Sequence, residues 1–243
     1  MTQLSIIIPA YNEEPRLANT LDQVCAYLSS QSYTFEVLVV ENGSQDRTLE
    51  IAQEYAARFP FVRAIHENAR GKGLAVRRGM LEATGRYRFM CDADLSMPID
   101  ELYRFLPSES NGADIVIGSR EAVGAQRFNE PASRHIGGRL INYSIQVLAL
   151  PGLHDTQCGF KLFTAQVAED LFTVQTLAGW AFDVEVLYVA RRRGYTIKEI
   201  GIPWHYFDHS HVSPVRDAFR MVLDILKIRW NSLRGRYAKK PPN

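Results

Sequence analysis

Leu4-Ser5-Ile6-Ile7-Ile8-Pro9-Ala10-Tyr11-Asn12-Glu13 is a short apolar run that breaks abruptly into polar residues. Its apolar side chains occupy consecutive positions, the pattern of a strand covered on both faces rather than one wetted on one side. Residues 35–40, 62–66, 87–91 and 113–117 repeat it. Between these runs, 14–29, 46–59, 72–84 and 99–106 have the length and period of amphipathic helices. Turn residues agree, with Asn42-Gly43-Ser44 ahead of the second helix and Gly85 behind the third. Strand and helix in alternation predict an α/β chain built on a mostly parallel sheet flanked by helices. Such sheets bind ligands beyond the carboxyl ends of their strands. Those ends read Pro9-Ala10-Tyr11-Asn12-Glu13, Glu41-Asn42-Gly43-Ser44, Asp92-Ala93-Asp94 and Gly118-Ser119-Arg120, four polar clusters converging on one rim.

After Arg120 the pattern loosens. Residues 121–133 read as polar loop and 136–150 as a helix. The stretch 155–163 is a compact run, Asp-Thr-Gln-Cys-Gly-Phe-Lys-Leu-Phe, and a helix is expected over 182–193. A strand at 196–200 and a mixed segment through His211 follow. No linker or repeat interrupts the 243 residues, so a single domain over 1–211 is expected, with 212–243 as a basic end of that domain or an extension of it. Forty-six per cent apolar and 23% charged residues exclude disorder and collagen. Cys25, Cys91 and Cys158 fit neither a disulfide framework nor a metal spacing, and reduced thiols are expected. With no apolar run of about 20 residues and no signal-like start, the expectation is a cytoplasmic protein, and the sequons at Asn42 and Asn142 are chance matches.

The chemistry is read at the strand ends. A dinucleotide fold requires Gly-x-Gly-x-x-Gly after its first strand; Pro-Ala-Tyr-Asn-Glu-Glu stands there instead, which argues against a nicotinamide dehydrogenase. Gly71-Lys72-Gly73 sits at a helix start, where free N–H groups and an ammonium suit a phosphate, although an ordinary basic turn has the same composition. Asp92-Ala93-Asp94 is the strongest signal. Two carboxylates two residues apart at the end of a buried strand suit one hard divalent cation, Mg²⁺ or Mn²⁺, that takes its other ligands from water and a diphosphate. A solvated acidic turn is the plainer alternative. His205, His209 and His211 gather near Asp208 at spacings of no standard metal site, and Trp180 and Trp204 are read as core aromatics or stacking platforms.

Taken together, Ser5-Ile6-Ile7-Ile8-Pro9-Ala10-Tyr11-Asn12-Glu13, Val40-Glu41-Asn42-Gly43-Ser44 with Asp46, Gly71-Lys72-Gly73, Asp92-Ala93-Asp94 and Gly118-Ser119-Arg120 resemble family 2 glycosyltransferases of the GT-A fold. Asp155-Thr156-Gln157-Cys158-Gly159-Phe160-Lys161, Trp180-Ala181-Phe182-Asp183-Val184-Glu185 and Glu199-Ile200-Gly201-Ile202-Pro203-Trp204 resemble the polyprenyl-phosphate branch, dolichyl-phosphate glucosyltransferases in particular. The resemblance implies a metal-dependent, inverting transfer of a hexose from UDP-glucose, or from GDP-mannose, to a polyprenyl or dolichyl phosphate. It places Pro9, Tyr11, Glu13, Glu41, Lys72 and Asp92 around the nucleoside, Asp94 with Asp92 on the metal, and Arg120, Arg134 and Lys161 around phosphate charge. Two departures are Glu41-Asn42, where many members carry paired aspartates, and Ser96, where some mannosyl-transferring members supply an amide. A lipid phosphate acceptor is already ionised and needs positioning; a sugar hydroxyl would need a base, for which Asp183 and then Glu185 are the candidates. A non-catalytic nucleotide-sugar binding module is the reading from another class.

The net charge of +1 is unevenly spread, because 212–243 holds eight Lys or Arg against two Asp. Within it, 215–234 reads as an amphipathic helix with Val215, Phe219, Val222, Leu226, Trp230 and Leu233 on one side, and Arg216, Asp217, Arg220, Asp224, Lys227, Asn231 and Arg234 on the other. Arg229 is the exception on the apolar side. Such a helix either docks its apolar side on the core or lies in an anionic membrane interface. No nucleic-acid motif accompanies the charge, so nucleic acid is not an expected partner.

Overall fold

The computed structural model describes the backbone of residues 2–206 and 214–238, and the side chains of these except 132–137, 140 and 214–218. In chain order its elements are β1 (Leu4–Ala10), α1 (Leu17–Ser29), β2 (Phe35–Glu41), α2 (Thr48–Arg58), β3 (Val62–His66), α3 (Lys72–Glu82), β4 (Tyr87–Cys91), a 3-10 helix (Ile99–Phe105) and α4 (Pro107–Ser110). There follow β5 (Ile115–Ser119), β6 (Gln126–Phe128), α5 (Ala132–Leu148), β7 (Phe160–Thr164), α6 (Ala165–Val174), α7 (Phe182–Arg192), β8 (Ile197–Gly201), β9 (Pro203–His205) and α8 (Pro214–Leu233).

Seven strands form one sheet in the order β3-β2-β1-β4-β7-β5-β8. Every neighbouring pair is parallel except those made by β7, which runs antiparallel between β4 and β5 with Met90 opposite Lys161 and Cys91 opposite Phe160. Successive strand residues point to opposite faces. Ile7, Leu38, Val40 and Met90 enter a core shared with α3, α6, α7 and α8, while Ile6, Ile8, Val37, Val39 and Phe89 enter a second core under α1, α2 and the 3-10 helix. Both faces of the central strands are dry, which is why β1, β2 and β4 are apolar at most positions; each buried Ile, Leu or Val contributes about 1.5–3 kcal/mol.

The reversed β7 was not expected as a strand, nor α6 as a helix. β7 reads poorly because Lys161 stands in it, fully buried. Its direction matters for function. It enters the sheet at the rim where its parallel neighbours leave, so Cys158 and Gly159 lie beside the end of β4. Residues 121–133, expected as loop, contain β6, which pairs with β9 and stacks Phe128 on His205 at 4.6 Å between ring centroids.

Element ends moved where side chains claimed the backbone. α1 starts at Leu17 rather than residue 14 because the N–H groups of Glu13 and Glu14 donate to Thr48 and Asp46 of the neighbouring loop, at 2.7 and 3.1 Å. α3 ends at Glu82 because the Thr84 N–H donates to Glu36 at 2.6 Å.

α8 docks on α5 and α7, but through a face other than the expected one. Met221, Ile225 and Ile228 are buried, and Asn231, expected to be solvated, is buried with them. Phe219, Leu223, Leu226, Trp230 and Leu233 lie opposite, 48–81% exposed. The helix is apolar on two sides, and a reading that sums one apolar direction finds only one of them. Arg229 leaves the apolar side by donating to the Leu148 carbonyl at the end of α5, at 2.6 Å. Asp208, His209 and His211 lie outside the described residues.

Candidate active site

The carboxyl ends of β1 and β2 are laced together by short polar side chains. Asn12, at φ 53°, accepts from the Gln45 N–H at 2.9 Å while its own N–H donates to Ser44 Oγ at 3.0 Å. This holds Tyr11 beneath the Arg70 guanidinium, 4.6 Å from the ring centroid, and leaves Pro9 buried within β1. Glu41 is buried and turned inward, with His66 Nδ1 2.6 Å from one carboxylate oxygen and the Ser44 N–H on the other. Glu13 grips Arg16 with both oxygens. Arg16 carried no signal in the sequence beyond its place at a helix start.

Beyond β4 the chain turns sharply. Leu95 adopts φ 45°, which costs a non-glycine residue about 1–2 kcal/mol, and besides the Leu95 N–H on the Asp92 carbonyl at 3.2 Å the turn is held by three bonds. The Ala93 carbonyl accepts from Thr20 Oγ1 at 2.6 Å, Asp94 accepts from the Ser96 N–H at 3.0 Å, and the Ser96 carbonyl accepts from the His205 N–H at 2.7 Å. Asp92 and Asp94 therefore project together. A side chain at Gly159 would collide with the Asp92 carboxylate, so only glycine lets β7 begin so close to it. Burial and then the charge of Asp92 push the Asp94 carboxyl above its ordinary value, against the Ser96 N–H and Arg16. Burial raises Glu13 in the same way; Arg16 opposes this, and Asp94 and Asp92 add to it.

Three cations follow along the rim, each beside its own carboxylate. Lys72, in the first turn of α3, places Nζ 2.6 Å from Asp92 Oδ1 and 4.9 Å from the centre of the Trp180 ring. Burial alone would lower its pKa, but Asp92, Asp183 and Asp94 outweigh it and raise the group. Lys161 Nζ lies 2.7 Å from Asp183 Oδ1 and donates to the Cys158 carbonyl. Burial raises Asp183, with Lys161 and Lys72 opposing. Arg120 meets Asp155 in a fork, Nε and Nη2 at 2.6 and 2.8 Å, and its guanidinium lies 5.3 Å from the Trp204 ring centre. The buried Asp155 is held below the ordinary carboxylate range, Arg120 overcoming the cost of burial, and its loop is fixed by Glu199, which accepts from the His154 and Asp155 N–H groups. The Cys158 thiol is pushed up to about 12 by burial and Asp155, which makes it a poor nucleophile.

The rim thus brings Glu13, Asp92, Asp94, Lys72, Asp183, Lys161 and Arg120 into one electrostatic neighbourhood, with Tyr11, Glu41 and Pro9 at its β1–β2 side. Arg134 lies in α5, and its side chain is outside those described. Glu185, a candidate base, points away into a fully satisfied network. Asp155 and Trp204 were visible as motif residues, but their partner Arg120 stands 35 and 84 positions away, beyond the reach of local pattern. Among the described residues no three His, Cys, Asp or Glu side chains stand close enough to hold a metal by themselves. Asp92 and Asp94 nonetheless fit one hard cation completed by other oxygens: Asp92 Oδ1 is buried and, its ion pair with Lys72 apart, has no hydrogen-bond donor, and the Ser96 N–H and Arg16 only partly answer the charge at Asp94.

The fold has counterparts among solved structures. Mannosyl-3-phosphoglycerate synthase from Rubrobacter xylanophilus superposes with a TM-score of 0.70 at 19% identity, over 99% of this chain and 77% of that one. Glucosyl-3-phosphoglycerate synthase from Mycobacterium tuberculosis, crystallised with Mn²⁺ and UDP-glucose, gives 0.67 at 15% identity, over 94% and 79%. The fold is the expected GT-A type. The profile of glycosyl transferase family 2 matches residues 5–172, and the chain belongs to that family. Its relatives include the dolichyl-phosphate beta-glucosyltransferases of Drosophila melanogaster, 37% identical over 93% of this chain and 74% of that protein, and of Homo sapiens, 34% identical over 96% and 76%. The Dictyostelium discoideum enzyme of the same name is 34% identical over 96% and 75%.

Proposed function

We propose that this chain transfers glucose from UDP-glucose to dolichyl phosphate, or a related polyprenyl phosphate, with inversion at the sugar. The observation that carries the reading is the rim itself. Paired Asp92 and Asp94 stand next to Lys72, and the relatives named for this reaction match nearly the whole chain. In the reaction an oxygen of the lipid phosphate attacks C1 of glucose while the bond from C1 to the nucleoside diphosphate breaks, and UDP leaves with the electron pair. Negative charge grows on the leaving phosphate as C1 gains oxocarbenium character. Asp92 and Asp94 would hold Mg²⁺ or Mn²⁺, which supplies Lewis-acid stabilisation of that charge. Lys72 exchanges its Asp92 partner for donor phosphate. In this reading Tyr11, Pro9 and Glu13 form the nucleoside side, with Glu41 holding the Ser44 turn beneath it, and Arg120 forms the phosphate side, to which Arg134 is also assigned; Lys161, buried against Asp183, holds β7 in place there. Because the acceptor is already ionised, no base is required, and Asp183 orients Lys161 rather than removing a proton.

The acceptor side is consistent with a lipid. A hollow of about 280 Å³ is lined by Glu121 and His154, the chain neighbours of Arg120 and Asp155, with Arg139, Asn142, Tyr143 and Gln146, and Tyr143 and Val147 of α5 are exposed. The exposed apolar stripe of α8, flanked by Arg220, Lys227 and Arg234, suits an anionic bilayer, with 1–211 as the transferase body and 212–243 as its membrane-facing end. Among the described residues no helix is long and apolar enough to cross a membrane, and this reading places the membrane contact on α8. Buried, free Cys25, Cys91 and Cys158 suit the cytosolic face, where thiols stay reduced.

The test is incubation of the purified chain with Mn²⁺, dolichyl phosphate in vesicles and labelled UDP-glucose, with GDP-mannose in parallel. Label from UDP-glucose in an alkali-stable, mild-acid-labile lipid supports the reading. Label from GDP-mannose alone overturns the donor, and donor binding without product in either arm overturns the enzyme in favour of a binding module.

A further inference from the structure

Glu185 is fully buried, two residues beyond Asp183 on α7 and so on nearly the opposite side of the helix, and its hydrogen bonds come from neutral donors. The Thr176 N–H lies 3.0 Å from both carboxylate oxygens, Thr176 Oγ1 donates at 2.5 Å, the Leu177 N–H at 2.8 Å and the Tyr237 hydroxyl at 2.6 Å. Asn231, on the docked face of α8, adds a bond to Thr176 Oγ1 at 3.1 Å and one to the Tyr237 hydroxyl at 3.4 Å. One carboxylate therefore joins the end of the chain to the segment 175–181.

That segment is the outer wall of the Lys72 turn. The Gln175 side-chain amide donates to the Gly73 carbonyl at 2.9 Å and to the Leu177 carbonyl at 2.8 Å, and the Gly73 N–H donates to the Ala178 carbonyl at 2.9 Å. A side chain at Gly73 would strike the Leu177 carbonyl and Phe182, so the two segments touch backbone to backbone. Trp180, at the end of the wall, lies over the Lys72 ammonium, which in turn meets Asp92. Hydrogen bonds and packed backbone thus run without a break from α8 through Glu185 to the cation beside the paired carboxylates. Charge-assisted bonds of this kind are the stronger ones, and leaving any of their buried partners unmatched is costly.

We infer that Glu185 is a positioning residue: it clamps 175–181 between the C-terminal helix and α3, and so sets the place of Lys72 in the donor pocket. The inference rests on the donor reading above and adds to it a route by which α8, the proposed membrane-facing helix, holds the donor site in shape. It also gives Glu185 a task other than that of a base.

Tyr237→Phe tests it by removing one donor to Glu185 while keeping the ring, and Glu185→Gln by placing an amide where the carboxylate accepts on every side. Amide exchange is followed at 71–74 and 176–178 without nucleotide, and donor KM and kcat are measured with vesicles. Tyr237→Phe is expected to speed exchange in both segments by about tenfold and to raise the UDP-glucose KM about fivefold, with kcat within about twofold and the acceptor KM unmoved. Glu185→Gln should move the same quantities further; if it does not fold, Tyr237→Phe decides alone. Faster exchange at 176–178 without any change at 71–74 overturns the clamp. A lowered melting temperature and kcat at unchanged donor KM assigns Glu185 to stability only and overturns the positioning role. If the wild type uses no UDP-glucose, the donor reading falls by itself, and exchange at 71–74 still decides whether Glu185 holds the Lys72 turn.

Discussion

The rim carries two Lys–Asp pairs of nearly equal length that differ in what surrounds them. Lys72 and Asp92 meet at 2.6 Å with side chains 16% and 24% exposed; Lys161 and Asp183 meet at 2.7 Å with 2% and 4%. A partly exposed ion pair is more easily exchanged for another partner than a fully dry one, whose breaking strands a charge. The open pair is therefore suited to receive a diphosphate, and the closed pair to fix β7 against α7 so that Gly159 and Asp92 meet. Equal distances conceal unequal duties.

The largest effect should come from the open side. Asp94→Asn removes a proposed metal ligand but no packing, and the transfer rate should fall by about a thousandfold or more while the melting temperature stays within a few degrees. Retained turnover would remove Asp94 from the metal site. On the closed side, Lys161→Met leaves Asp183 buried without its cation and should cost about 3–5 kcal/mol of folding stability in a denaturant titration. The sign of its pH dependence follows from Asp183, whose pKa is already raised by burial. A folded-state pKa above the unfolded value means that the penalty is full at neutral pH and shrinks as pH falls through the raised pKa. The stability gap between Lys161→Met and wild type should accordingly narrow in mild acid; a gap that widens there would show that Asp183 is not what the lysine answers. Lys72→Met completes the contrast, with transfer down about a hundredfold and a smaller loss of stability than Lys161→Met. Equal stability losses at the two lysines would erase the distinction between the pairs.

The same contrast explains what could be read from the chain beforehand. The ends of β1, β2 and β4 were legible because a dry parallel sheet leaves an unbroken apolar run, and polar residues can return only where the strand stops. Asp92, Asp94 and Arg120 stand at such stops, and Lys72 was legible instead from the Gly-Lys-Gly at the start of α3. β7 was not legible, because the buried Lys161 that marks its function also breaks its apolar pattern. Nor could adjacency reveal Asp155 beneath Arg120 or Tyr237 on Glu185, 35 and 52 positions apart, since no local period encodes a contact made by topology. Glu185 and Asp183 looked alike as acidic residues in a first turn, yet one faces a lysine at the rim and the other a hydroxyl from the end of the chain.

The smallest effects are expected where the molecule has a buried and an open face on one helix. Ile225 and Ile228 of α8 are buried, while Leu226 and Trp230 are 55% exposed one residue or two away. If the open face meets a bilayer, Trp230→Ser should weaken sedimentation with anionic vesicles by about tenfold, since an interfacial aromatic is lost, without lowering the melting temperature. Arg220→Gln, on the basic flank, should weaken it by about fivefold, near the ~1 kcal/mol expected of one cation at an anionic surface, and that loss should vanish in high salt while the Trp230→Ser loss persists. Salt that abolishes both losses would mean the stripe is held at the surface by charge alone and never enters the acyl region. Wild-type protein that ignores anionic vesicles at low salt would assign the exposed stripe to some other partner and leave α8 with a single working face, the one that carries Asn231 to Thr176.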